Sequence, residues 1–300
     1  TNASLGTKIA LSGTANEGTT SFTTVSSLGA SIGSLVYLQQ GGQDSSGGSG
    51  PTGCDPSGCR GEVVQISGVS GNTYTVSTTL HDTWNPSVNA ATAQLVSSVL
   101  SNVVVQNIVF TGNGTNQNGL EVNSCLNCSV SGVTSGHVTG AAIISSVTFG
   151  SSWSTITITA AGSENCGAAW QVYIMSNATV GTLSVSSLNP GAPNTGCLGD
   201  GAFGAEWVDF DNSVATNVTV NSSGTGGGRP MKLTASRYST FNSLTVENSV
   251  GNFNGLSLEY YTSRNVFNGG SIVNNAGAPA SGSAGINSFF DAKDKYDAVK

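Results

Sequence analysis

Charge is what this 300-residue chain has least of: nine Lys and Arg stand against 16 Asp and Glu, together 8% of the residues, for a net charge of −7 and a pI near 4.6. No Lys or Arg occurs between Arg60 and Arg229. Phosphate contacts need clustered cations, so the sequence argues against a nucleic-acid partner. Long apolar runs are missing as well. The 37% hydrophobic residues come in short stretches, none approaching the roughly 20 residues of a membrane helix, and no membrane insertion is expected. Histidine occurs twice, at His81 and His137, which leaves little for a His-based metal site. What is abundant is Gly, at 41 positions, beside Ser, Thr and Asn, with Val, Ile, Leu and Phe returning on a regular beat. Disorder combines low hydrophobicity with high net charge, which is not this pattern, so the chain is expected to fold. Its length allows a sizeable core in one domain or two.

Six cysteines stand at Cys54, Cys59, Cys125, Cys128, Cys166 and Cys197. An even number in a Lys-poor, Ser/Thr/Asn-rich chain points to disulfides in an exported protein, secreted or at a cell surface. Cys54 and Cys59 close the short loop CDPSGC, and Cys166 and Cys197 are placed to pin a long loop. Cys125-x-x-Cys128 reads as another such pair or as a metal or redox site, although zinc would want a second pair or histidines nearby. The opening at Thr1, without a leader-like segment, is what a processed exported chain would show. Asn-x-Ser/Thr sequons at Asn113, Asn177 and Asn217 are no more than this composition yields by chance.

From residue 100 onward a short apolar run, a Gly-rich turn and a second apolar run keep returning, as in SNVVVQNIVF (101–110), WSTITI (153–158), NATVGTLSV (177–185), NSVATNVTV (212–220) and STFNSLTV (239–246). Taking Val133, Ile158, Val185, Val220, Val246 and Val273 as equivalent gives steps of 25, 27, 35, 26 and 27 residues. A period of that size indicates a solenoid. The runs alternate with period two and favour Val, Ile and Thr, which makes them strands and excludes helical repeats. Each coil cannot hide its own inward side chains, so stacking must bury a continuous core.

These repeats resemble the right-handed parallel β-helix of the pectate-lyase-like superfamily over roughly the last two thirds of the chain. IGSLVYLQQ (32–40) and GEVVQISGVSGNTYTVSTTLHDTW (61–84), with GNT (71–73) as a hairpin turn, are similar to the β-rich segment that precedes many such helices. The resemblance implies an all-β fold, with an N-terminal entry segment over 1–98 and a right-handed parallel β-helix over 99–300. It says less about activity, since that superfamily includes lyases, hydrolases, epimerases, phage tailspikes and adhesins. GGQDSSGGSGPTG (41–53) reads as an excursion between strands. The last register starts near Lys295 and stops at Lys300 in mid-coil, and an uncovered coil end is a sticky edge. The expectation is a cut chain, or self-association through that open C-terminal coil.

Carrying the register outward from the valines stacks Glu206, Lys232 and Glu259 on consecutive coils, and likewise Asp211, Arg237 and Arg264, and Trp207, Leu233 and Tyr260. Strands of adjacent coils lie about 4.8 Å apart, so such ladders are in contact. One reading is a polysaccharide site on an outer sheet face. Acid chemistry on sugars uses paired carboxylates, and Asp200, Glu206, Asp209 and Asp211 lie within one coil. Lyase chemistry uses a cation and a basic residue. Some β-helix lyases hold calcium on acidic side chains beside a Lys and an Arg, and Glu206, Glu259, Lys232 and Arg237 resemble that set in residue type, making calcium a possible cofactor. Trp170, Trp207, Tyr260 and Tyr261 would offer stacking surfaces to sugar rings, and Arg229 and Arg264 would bind substrate. The other reading is that the ladders are salt bridges holding coils in register. The polygalacturonase pattern of paired Asp, Gly-His-Gly and Arg-x-Lys is missing.

Around these ladders, the insertion NPGAPNTGCLGDGAFG (189–204) either walls a cleft or is a plain surface loop. GTGGGRP (224–230) lacks the Gly-Lys-Ser/Thr ending of a phosphate loop and reads as a tight turn bringing Arg229 to the same face. His137 is expected in a turn and His81 in a hydrogen bond within the entry segment. The sequence therefore points to a secreted β-helix that binds, and in one version cleaves, an acidic extracellular polysaccharide as a lyase or hydrolase. The rival is a non-catalytic fibre or tailspike-like stalk that packs against copies of itself.

Overall fold

A computed structural model describes residues 5–41, 60–112, 118–138, 140–159, 168–186, 202–221, 228–247, 255–273, 286–289 and 295–297. Cys54, Cys59, Cys166 and Cys197, nearly all of the 41–53 excursion and the 189–204 insertion up to residue 201 lie outside them. Among the described residues, apart from the one-turn helix Pro86–Asn89, capped by Asn85, the secondary structure is β. No helix among the described residues is long and apolar enough to cross a membrane.

The short Val/Ile/Thr runs form parallel strands, one coil stacked on the next, in two long sheets. One has eight strands and runs from Leu100–Ser101 through Leu120–Leu126, Ile143–Phe149, Ala168–Ser176, Ala202–Asp211, Gly228–Thr234 and Leu256–Glu259 to Ile286–Phe289. The other has ten and runs from Val104–Gln106 to Lys295–Asp297. The architecture is the expected right-handed parallel β-helix with a β-rich N-terminal segment. Its register agrees with the repeat arithmetic where Ile158, Val185, Val220 and Val246 follow one another. It departs at both ends: Val133 faces Ile156, two positions short of Ile158, and Val246 faces Ile272, one short of Val273. Consequently Ile272 packs on the core and Val273 is 38% exposed.

The coil turns by left-handed residues stacked in columns. One column is Asn102, Asn127, Gly150, Asn177 and Asn212, the residue types that tolerate positive φ best. Asn212 Nδ2 donates to Asn177 Oδ1 at 2.5 Å, tying one coil to the next. Gly150 replaces Asn because a Cβ there would collide with Asn127 Oδ1. A second column, Ser124, Val147, Ile174, Asp209 and Ala235, interrupts the eight-stranded sheet. Positive φ at β-branched Val147 and Ile174 is costly. Their side chains are held in an apolar layer with Leu35, Tyr37, Val63 and Val96 of the N-terminal segment.

That segment is a six-stranded antiparallel sheet in the order Ile9–Ala10, Thr92–Leu95, Leu35–Gln40, Arg60–Ser70, Thr73–Val76, Ser21–Thr23, with the expected turn at Gly71, φ 59°. It keeps its own core around Phe22, Tyr74 and Trp84 and seals part of the outer face of the eight-stranded solenoid sheet. Inside the solenoid, Trp153, Trp170 and Trp207 stack with ring centroids 5.1 and 5.4 Å apart, and Phe210, Phe241 and Phe267 continue the stack.

Candidate functional site

Alternation along Ala202–Asp211 decides which side chains face outward. Ala205 and Trp207 point into the core, so Glu206 between them points out. Glu206 faces Gln171 on the preceding coil and Lys232 on the following one. Gln171 Nε2 donates to Glu206 Oε2 at 3.3 Å, and Lys232 Nζ lies 3.3 Å from Glu206 Oε1. Lys232 faces Ser257 in register, but its ammonium reaches diagonally to Glu259 Oε2 at 3.2 Å. The expected three-residue ladder therefore exists as contacts, with Glu259 two positions off the register read from the sequence. All three side chains are only 12–17% exposed. Burial opposes the charge on Lys232, yet Glu259 and Glu206 outweigh it and raise its pKa. Tyr173, two residues beyond Gln171, is pushed up to about 12 by burial and by Glu206. Gln171 and Tyr173 carry no motif, and the sequence reading missed them; the 35-residue step that pairs Gln171 with Glu206 was the available signal.

One corner further along the same strand, Asp209 and Asp211 meet the N-terminal sheet. Asp209 accepts from Tyr37 Oη at 2.9 Å and from the Gly61 N–H at 3.0 Å. Burial lifts its pKa to about 8 against the opposing pull of Arg237 and these donors. Asp211 faces Arg237 in register, as read from the sequence, and Arg237 then faces Ser263, one short of Arg264. Arg237 binds the Asp82 carboxylate and donates to Gly61 O at 2.9 Å, while Arg60 donates to the same Asp82 at 2.6 Å. His81 Nδ1 lies 3.0 Å from Asp211 Oδ2 and 3.1 Å from Glu62 Oε2. Burial alone would depress His81, but Asp211 and Glu62 carry it to about 10. His81 thus bonds within its own segment, as expected, and also across to the solenoid.

These placements correct several sequence expectations. Asp209, Asp211 and Arg237, expected to be catalytic, lie sealed beneath the N-terminal sheet with at most 1% exposure, at and just past the turns at Asp209 and Ala235. Trp170 and Trp207 are at 0% in the core stack, where no sugar ring reaches, and Tyr261 is also fully buried. Tyr260 is half-buried and two positions past Leu258, the true partner of Leu233. Arg264 pairs with Glu17 at 2.6 Å over the Tyr238 ring. Arg229 sits in the strand Gly228–Thr234, facing Phe203 of the preceding coil. Cys125 and Cys128 are buried with their sulfurs in contact and their Cα atoms 6.0 Å apart, and His137 is at a turn with φ 53°.

No protein-family model and no curated protein matches the sequence. Among solved structures, the chain is similar to the gp61 tailspike of Pseudomonas phage phi297, with TM-score 0.54 and 15% identity over 99% of this chain and 57% of that one. It is also similar to the gp54 tailspike of Acinetobacter baumannii bacteriophage AP22, a structure in complex with A. baumannii capsular saccharide, with TM-score 0.50 and 13% identity over 96% of this chain and 57% of that one. The chain thus spans a little over half the length of either tailspike. At such identity the likeness is one of fold: a parallel β-helix of the kind tailspikes are built on.

Proposed function

We propose that the chain is the saccharide-binding β-helix of a tailspike-like protein and that it binds an acidic extracellular polysaccharide along Gln171, Glu206, Lys232 and Glu259. The observation that carries this reading is the row itself: an amide, two carboxylates and an ammonium linked across four coils on the outer face of the solenoid. Two carboxylates to one ammonium suit a sugar polymer, whose hydroxyls donate to Glu206 and Glu259 while an occasional uronate reaches Lys232. The similarity to a tailspike solved with capsular saccharide supports the same reading. Cleavage is the finer part of the proposal. Glu206 and Glu259, held on one ammonium, would be the carboxylate pair that acid chemistry on sugars uses. Kinship with the pectate-lyase-like superfamily and a site of action outside the cell, where Cys125 and Cys128 can close as a disulfide, belong to the same proposal.

Binding of uronate-containing and neutral capsular polysaccharides, measured by calorimetry, tests it. Glu206→Gln is expected to weaken binding about tenfold, the roughly 1.4 kcal/mol of one charge-assisted hydrogen bond. Equal affinity in wild type, Glu206→Gln and Lys232→Met would remove the row from the binding site. New reducing ends or unsaturated sugars that vanish in Glu206→Gln would establish cleavage.

A second reading, self-association, is favoured by the first coil, where Leu100, Val104 and Val109 are 54%, 62% and 74% exposed. Sedimentation of wild type against Val104→Asp/Val109→Asp separates an assembly, which the pair would dissociate, from a monomer.

A further inference from the structure

The junction contains a three-ligand cluster that the saccharide row does not use. Glu62 and His81 come from the N-terminal segment and Asp211 from the solenoid, and one ligand atom from each lies within 4.8 Å of the others. Their positions are fixed from outside. Trp84 Nε1 donates to Glu62 Oε1 at 2.7 Å, and the His81 backbone N–H holds Glu62 Oε2 at 3.0 Å. Both carboxylates are fully buried, whereas the imidazole keeps 13% exposure.

Two details show that hydrogen bonds alone leave this cluster incomplete. A single Nδ1–H stands 3.0 Å from Asp211 and 3.1 Å from Glu62, and one proton cannot serve two carboxylates at full strength. Asp211 Oδ1, buried on the carboxylate that faces His81, has no hydrogen-bond partner among the described residues. A buried carboxylate oxygen without a donor is costly, and an ion bound by both oxygens of Asp211 would satisfy it.

We propose that Glu62, His81 and Asp211 form a divalent-cation site that clamps the N-terminal sheet to the solenoid. The donor set, one imidazole and two carboxylates, suits zinc or a similar first-row ion, whereas calcium takes six to eight oxygens. Ligand atoms held about 2.0–2.2 Å from such an ion lie roughly 3.0–3.5 Å apart, and the two spacings around Nδ1 already fall at the short end of that range. The ion's two charges balance the two carboxylates, and Trp84 orients Glu62 from behind.

The test uses the full, tag-free chain, stripped with EDTA and titrated with zinc chloride, then manganese, nickel and calcium chlorides, by calorimetry and elemental analysis. One equivalent of zinc is expected to bind and to raise the melting temperature. Asp211→Asn and His81→Gln should bind at least about tenfold more weakly, Trp84→Phe should fall in between, and His137→Gln, which alters the only other histidine, should match wild type. Circular dichroism shows whether each variant is folded, and the wild-type titration stands without any of them. No saturable uptake of any of the four ions by the stripped wild type overturns the proposal. So does binding that Asp211→Asn and His81→Gln leave unchanged in folded protein. Saccharide binding by the metal-free chain, measured alongside, keeps this result separate from the fate of the row.

Discussion

Inside the solenoid, Trp153, Trp170, Trp207, Phe210, Phe241 and Phe267 pack on one another, whereas beneath the N-terminal sheet the same coils present Asp209, Asp211 and Arg237 to Glu62, His81, Asp82 and Arg60. Both interiors exclude water. The aromatic stack gains from every square ångström it buries and tolerates any arrangement that fills the volume. The junction must first recover the desolvation of seven ionisable groups, and does so only where each finds its partner. Asp209 needs Tyr37 and Gly61, Asp211 needs His81, and Arg237 needs Asp82, so a single seating of the sheet brings all three to their partners. The core supplies cohesion and the junction supplies placement.

The two largest effects test that contrast directly. Trp207→Ala empties part of the stack and is expected to cost about 3–5 kcal/mol in denaturant unfolding. Arg237→Met nearly preserves volume yet removes the cation that faces Asp82 and Asp211, and about 3–5 kcal/mol is expected there too. The origin differs, so the response to pH should differ: the Trp207→Ala loss stays constant, and the Arg237→Met loss varies with pH. A loss below about 1 kcal/mol for Arg237→Met would mean that the junction charges are not coupled as described.

Asp209→Asn sharpens the contrast from the other side. In the folded chain Asp209 titrates at about 8, far above an ordinary carboxyl. A raised acid holds its proton in the folded state, so its contribution is complete below about pH 4 and is lost as pH rises toward 8. Asn keeps the shape without the charge. Measured in EDTA, the variant should gain on wild type by more than about 1 kcal/mol between pH 5 and 8. Parallel pH profiles would contradict this.

Legibility in the sequence follows the same divide. The core announced itself because inward residues recur at the coil period, and Ile158, Val185, Val220 and Val246 stack as the spacing predicted. The slips at Val133 and Val273 arose where the true partners are 23 and 26 residues apart and other apolar residues nearby gave spacings of 25 and 27. Glu206 and Lys232 were readable for the same periodic reason. The junction was not: Glu62, His81 and Asp82 lie more than a hundred positions from Asp211 and Arg237, and nothing in LHDTW records which surface it will meet. Trp170 and Trp207 were misassigned because periodicity marks a residue as recurring without saying which face it occupies.

The corners give a smaller effect that belongs to neither interior. Gly150→Ala puts a Cβ against Asn127 Oδ1 at φ 65°, and a loss of about 1–3 kcal/mol is expected. Adding Asn127→Gly removes the collision and should recover part of that loss. If it recovers nothing, the strain is in the backbone alone.

The smallest effect comes from the outer row, which resembles the junction in residue type but not in depth. Lys232 is raised above its ordinary value by Glu259 and Glu206, so its contribution is present below about pH 10.4 and disappears as pH climbs through the folded value. At neutral pH and low salt Lys232→Met should cost no more than about 1 kcal/mol. At 1 M salt, where the Debye length is about 3 Å, most of that should vanish, while the Arg237→Met loss persists because buried charges are screened much less than exposed ones. A salt-insensitive loss at Lys232 would place the row in the dry interior with Asp209 and Arg237, and a face that dry would have no room for a sugar.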